Sequence, residues 1–65
     1  MLIDGSKVRA AREKTGKKVT AVAASIEMSA PWLYALEAKT EPVEMKAHTA
    51  HALARVIGAK VGDLI

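Results

Sequence analysis

Residues 19 to 37 read V-T-A-V-A-A-S-I-E-M-S-A-P-W-L-Y-A-L-E. Val19, Val22, Ala23 and Ile26 recur at three- and four-residue spacing, which places them on one stripe of a helix. Glu27 and Met28 make a short turn. Ser29 carries a side-chain oxygen able to accept from an unpaired backbone N–H, the mark of a helix N-cap. Pro31 then falls in the first turn, where its missing N–H leaves no bond unmade. Leu33 and Leu36 follow at helical spacing and point inward, with Trp32 and Tyr34 at the flanks. The stretch predicts a helix over 19–26 and another after Ser29, with almost no linker. That is a helix-turn-helix arrangement presenting its second helix outward.

Working outward, a first helix is expected over residues 6–15. Asp4 or Ser6 can cap it, Val8, Ala11 and Arg12 share one face, and Gly16 ends it by accepting a left-handed conformation. Lys14 near its end suits the helix dipole. Downstream, Ala38 to Lys46 contains Lys39, Thr40, Glu41 and Pro42 and reads as a loop. Thr49 can cap a fourth helix carrying Ala50, Leu53, Ala54, Val56 and Ile57, which Gly58 stops. Val61, Leu64 and Ile65 make a last turn or a frayed tail. No internal repeat or low-complexity tract breaks the chain. The expectation is one all-α domain over residues 1–65, a small bundle of four to five short helices.

The totals bound the function. A 65-residue chain makes a marginal core and little room for a pocket. Cys is absent, which excludes a disulfide framework and Cys-based zinc sites and suits a cytoplasmic protein. No apolar run reaches membrane-span length and no secretion signal opens the chain, so no membrane partner is expected. There is no Gly-rich phosphate loop and no nucleophile with a matched base, and carboxylates are scattered. An enzyme, a cofactor and a small-molecule ligand are therefore not expected. His48 and His51 sit three apart, but no third ligand accompanies them, and surface histidines are the better reading.

Net charge is +3, and its distribution is uneven. Residues 1–18 hold six basic groups (Lys7, Arg9, Arg12, Lys14, Lys17, Lys18) against Asp4 and Glu13, while no residue from 19 to 38 is basic. Basicity is thus concentrated in the first helix and the turn after it, where it favours a nucleic-acid partner.

R-E-K-T-G at 12–16, V-A at 22–23, I-E-M-S at 26–29, L-Y-A-L-E at 33–37 and Pro42 follow one another at a spacing that resembles the Cro and phage-repressor type (XRE-like) helix-turn-helix family. L-A-R-V-I-G-A-K-V-G-D-L at 53–64 is similar to that family's last helix and closing turn. The resemblance implies a lambda-repressor-like DNA-binding fold and a homodimer on double-stranded DNA, with the third helix in the major groove and the second across the backbone. It assigns DNA contact to Lys17, Lys18, Val19, Thr20, Ser29, Ala30, Pro31, Trp32, Tyr34, Ala35 and Lys39. It also implies an ion pair between Arg12 and Glu37, in keeping with the need of a buried guanidinium for a carboxylate. Val61, Leu64 and Ile65 are then a dimer contact, or else they fold back over the first helix near Leu2 and Ile3.

The departures from the family pattern are specific. Members often carry Gln at the slot of Val19, Ser or Thr at that of Lys18, and Gly at those of Glu27 and Lys39. The base-reading slots hold Ala30, Pro31 and Ala35, none of which can hydrogen-bond to a base. On DNA, such a helix would rely on thymine methyl groups, DNA shape and phosphate contacts. Off DNA, Trp32 and Tyr34 could form a protein-docking face, making the chain an antitoxin-like or regulator-partner module. The leading expectation is a Cro-like repressor of a phage or other mobile element, acting in the cytoplasm of the bacterial or infected cell.

Overall fold

The computed structural model describes all 65 residues. Helix α1 spans Gly5–Lys14, α2 Val19–Ser25, α3 Ala30–Ala38 and α4 Ala47–Val56, and a 3-10 turn closes the chain at Val61–Leu64. The all-α expectation holds, with one addition. Two short strands, β1 (Leu2–Ile3) and β2 (Val43–Glu44), pair antiparallel with Leu2 opposite Glu44 and Ile3 opposite Val43. The stretch read as a loop from Ala38 to Lys46 therefore contains the last residue of α3 and a strand. Two-residue strands are too short to leave a period in the sequence, and the pairing partner lies far off along the chain.

Helix ends follow local chemistry. Asp4 takes the cap of α1, its carboxylate accepting from the Ser6 N–H at 2.9 Å and the Ser6 hydroxyl at 2.7 Å. These bonds pull the Asp4 carboxyl below its ordinary pKa, the hydroxyl contact acting most strongly. Helix α2 ends one residue earlier than expected, at Ser25. Helix α4 starts at Ala47 behind Lys46, which offers no side-chain cap. Thr49, expected to be that cap, already lies inside the first turn, because the chain turns helical as soon as it leaves the ribbon.

Three helices stop in the same way. Lys17 N–H donates to Arg12 O at 3.3 Å and Gly16 N–H to Glu13 O at 3.0 Å. Met28 N–H donates to Ala23 O at 2.9 Å and Glu27 N–H to Ala24 O at 3.1 Å, while Ala59 and Gly58 repeat the pair on Ala54 and Arg55. Each is a Schellman stop, which needs a left-handed residue at its pivot. Gly16 and Gly58 fill two pivots at φ 71° and 70°; Glu27 fills the third at φ 58°.

Every element except β2 contributes to one cluster of 12 buried apolar residues, and Val43 of β2 packs against it half-buried. Ile3 comes from β1, Val8 from α1, Val22 from α2, Leu33 from α3, Leu53 from α4 and Leu64 from the closing turn, each fully buried. Burying a side chain of this kind stabilises by about 1.5–3 kcal/mol. Helix α3 packs against both α1 and α2, so the core holds its inner face and leaves its outer face in solvent.

Candidate nucleic-acid interface

Helices α2 and α3 meet at 114°, within the range of about 90–120° that sets a second helix outward in a helix-turn-helix. The turn between them is tight because the Glu27 pivot reverses the chain within three residues of Ser25. Ser29 then starts α3, its hydroxyl oxygen accepting from the Trp32 N–H at 3.2 Å. Leu33 and Leu36 anchor the helix from below. The outer face consists of Pro31, Tyr34, Ala35 and Ala38, all exposed, with Tyr34 at 58% the most exposed large side chain on it.

The residues assigned to DNA by resemblance divide into three groups. Lys17, Lys18, Thr20, Ser29, Pro31, Tyr34, Ala35 and Lys39 are exposed. Ala30 and Trp32 are half-buried and pack against the core, so each presents only an edge. Val19 is buried, 5% exposed, and is a core residue with no surface to offer a phosphate or base. The slot that often carries Gln is spent on packing because a branched apolar side chain there completes the stripe of Val22 and Ala23. Lys18, at the cap of α2, makes no capping bond, so the first turn of that helix lacks the usual Ser or Thr acceptor.

Arg12 holds this arrangement together. Its Nε donates to Glu37 Oε2 at 2.6 Å and its Nη2 to Glu37 Oε1 at 2.8 Å, a bidentate pair. The remaining Nη1 donates to the Lys17 carbonyl at 2.9 Å. One side chain on α1 thus fixes both the end of α3 and the lysine turn before α2. The two partners are 13% and 7% exposed, so this is a desolvated pair and not a surface one. Glu37's hydrogen bonds hold the Arg12 guanidinium above its ordinary pKa, against the opposing effect of burial. The two halves of the interface are therefore positioned by the same buried contact.

Two residues escaped sequence reasoning. Arg9 lines a groove with Arg12, Tyr34, Glu37 and Ala38, which brings an exposed cation alongside α3 next to the desolvated Arg12. Its one ionic partner is Glu13, a turn away at 3.4 Å. The helical spacing of Arg9, Arg12 and Glu13 was visible, but not that α3 crosses beside them. Gly5 is the other, buried where α1 begins over the Leu36 carbonyl. At the opposite end, Leu64 is fully buried and its carbonyl accepts from the Asp4 N–H at 2.7 Å. Leu64 therefore folds back on the ribbon and α1, and its side chain is not available to a second copy. Ile65 remains 58% exposed and Val61 half-buried.

No curated relative matches the chain at a significant level. A family model described as a helix-turn-helix domain matches residues 5–65, from the first residue of α1 to the end of the closing turn. With its α2–α3 pair bent at 114°, capped third helix and Arg12–Glu37 link, the chain belongs to the helix-turn-helix domain family, of the Cro type.

Proposed function

We propose that this chain is a transcriptional regulator that binds an operator as a homodimer, in the manner of a small Cro-like repressor of a phage or other mobile element. The observation that carries the reading is the exposed α3 face set at 114° to α2, with Lys17 and Lys18 before α2 and Lys39 after α3. Helix α3 enters the major groove, and the lysines neutralise phosphates on either side. Thr20, Ser29, the Tyr34 hydroxyl and the edge of Trp32 add polar contacts to the backbone. Occupying a promoter is then sufficient for repression.

Dimerisation rests on Ile65 and the accessible part of Val61, with Leu2 close by, since β1 and the closing turn are tied through Asp4 and Leu64. The body measures 22 × 21 × 20 Å, so two copies side by side span roughly twice that, enough to cover the distance of about 34 Å between successive major grooves if each α3 lies away from the shared contact. The apolar character of the α3 face favours a second reading, docking on another protein.

Changing Lys17 and Lys18 together to Glu separates the two. Both are exposed, so folding is retained. DNA regulation requires weaker binding to every duplex and a shallower salt dependence, followed by DNA anisotropy and Trp32 fluorescence. Unchanged DNA affinity would remove the backbone anchor from the proposal.

A further inference from the structure

On the reading that the chain docks duplex DNA, we propose that α3 reads C5-methyl groups. Pro31, Ala35 and Ala38 form a methyl-sensing face that selects thymine, and equally 5-methylcytosine, over pyrimidines lacking the methyl. The three residues are exposed and lie at i, i+4 and i+7, so they line one ridge of the helix. None has a side-chain donor or acceptor. The one carboxylate on α3, Glu37, is held by Arg12, and the one exposed polar side chain, Tyr34, flanks the ridge.

The chemistry of the major groove decides what such a ridge selects. Its floor presents hydrogen-bonding groups at every base pair and one apolar feature, the thymine methyl. An alanine pressed against an exocyclic amine or a carbonyl expels water without replacing its hydrogen bond, which is unfavourable. Pressed against a methyl, it buries apolar surface on both sides. Alanine side chains are also short, so the backbone of α3 can approach the groove floor closely enough for that contact.

The surroundings identify the occupant as DNA. An apolar ridge alone fits many partners, but here Lys39 follows Ala38 directly, Arg12 ties the Lys17 backbone to Glu37 of α3, and Arg9 stands beside Tyr34. A cationic rim around an apolar centre complements a polyanion whose groove carries apolar spots.

The test begins with selection from a randomised duplex pool at low salt. The enriched duplex is then synthesised with uracil in place of thymine, which removes the methyl and keeps every hydrogen-bonding group and charge. The expected result is thymine at the enriched positions and a loss of roughly fourfold in affinity for each contacted methyl removed, with a gain of similar size when cytosine–guanine pairs placed at those positions are changed to 5-methylcytosine–guanine. Ala35→Gln, at an exposed site that leaves the core untouched, should reduce the thymine-to-uracil ratio. Equal affinity for the thymine and uracil duplexes, or enrichment of thymine-free sites, would overturn the methyl reading and leave DNA binding standing. No binding to any duplex at low salt would overturn the DNA reading and this inference with it, and would favour the protein-docking face.

Discussion

Gly5→Ala is the substitution for which sequence and structure give opposite signs. In an exposed helix, replacing Gly by Ala stabilises by as much as about 1 kcal/mol. Here a Cβ at position 5 would stand 1.9 Å from the Leu36 carbonyl oxygen and 2.8 Å from its carbon, where contacts under 3.0 Å essentially never occur. Both atoms are backbone, so no side chain can swing away. Helix α1 must retreat from α3 by about 1.1 Å, through a close-packed interior. Overpacking of this kind costs about 1–3 kcal/mol and occasionally more. The retreat also stretches the Arg12–Glu37 bonds, so the upper end applies, with a net destabilisation of about 2 kcal/mol after the helix-propensity gain. For a domain this small that lowers Tm by roughly 8–16 °C. Thermal unfolding followed by far-ultraviolet circular dichroism reads the effect, and Trp32 fluorescence reports whether α3 has shifted. A Tm equal to or above that of the parent would refute the close approach of α1 to α3.

Other perturbations probe the remaining features. Arg12→Ala leaves Glu37 desolvated and unpaired and releases the Lys17 carbonyl; it should destabilise by about 3 kcal/mol in urea unfolding, and an unchanged midpoint would mean the pair is solvated. Glu27→Gly removes a non-glycine residue from a left-handed pivot at φ 58° and should stabilise by about 0.5–1 kcal/mol, raising Tm by a few degrees; a lower Tm would show that the Glu27 side chain has a structural role. Asp4→Asn keeps a capping oxygen but does not titrate. Because the Asp4 carboxyl is depressed below its ordinary value of 3.8 in the fold, its contribution is present above that value and is lost as pH falls through the folded pKa. The variant should match the parent near neutrality and lose stability less steeply below pH 3.8, and parallel acid limbs would place the titrating group elsewhere.

Much of the fold was legible because its signals are local. The stripe of Val19, Val22 and Ala23, the Ser29 cap, Pro31 and the glycine stops at 16 and 58 act within one or two turns, so their order along the chain carries their meaning. The helix-turn-helix topology followed from those signals taken together, and the family from the resemblance of the motifs at 12–16, 22–23, 26–29 and 33–37 to its pattern. The ribbon of β1 with β2 was not legible, since two residues carry no period and their pairing is long-range. The cap of α4 was misplaced for the same reason, because the strand, not a side chain, sets where that helix can begin.

The site divides along the same line. Sequence by itself determined that the third helix would carry no base-reading amide or guanidinium, and that the cations would lie to either side of it. Composition at fixed positions is a covalent fact and survives any packing. Only the tertiary structure decided which of those positions face outward. Helical periodicity tells which residues share a face but not where neighbouring helices cross it; with α3 packed against α1 and α2, Val19 is buried, Ala30 and Trp32 are half-covered, and Arg9 stands beside Tyr34. The close approach of α1 to α3 made Gly5 indispensable, and the packing of the closing turn on α1 and α4 decided between the two readings of Leu64 in favour of the core, because burial depends on what the whole chain brings together and not on any residue's own neighbours in sequence.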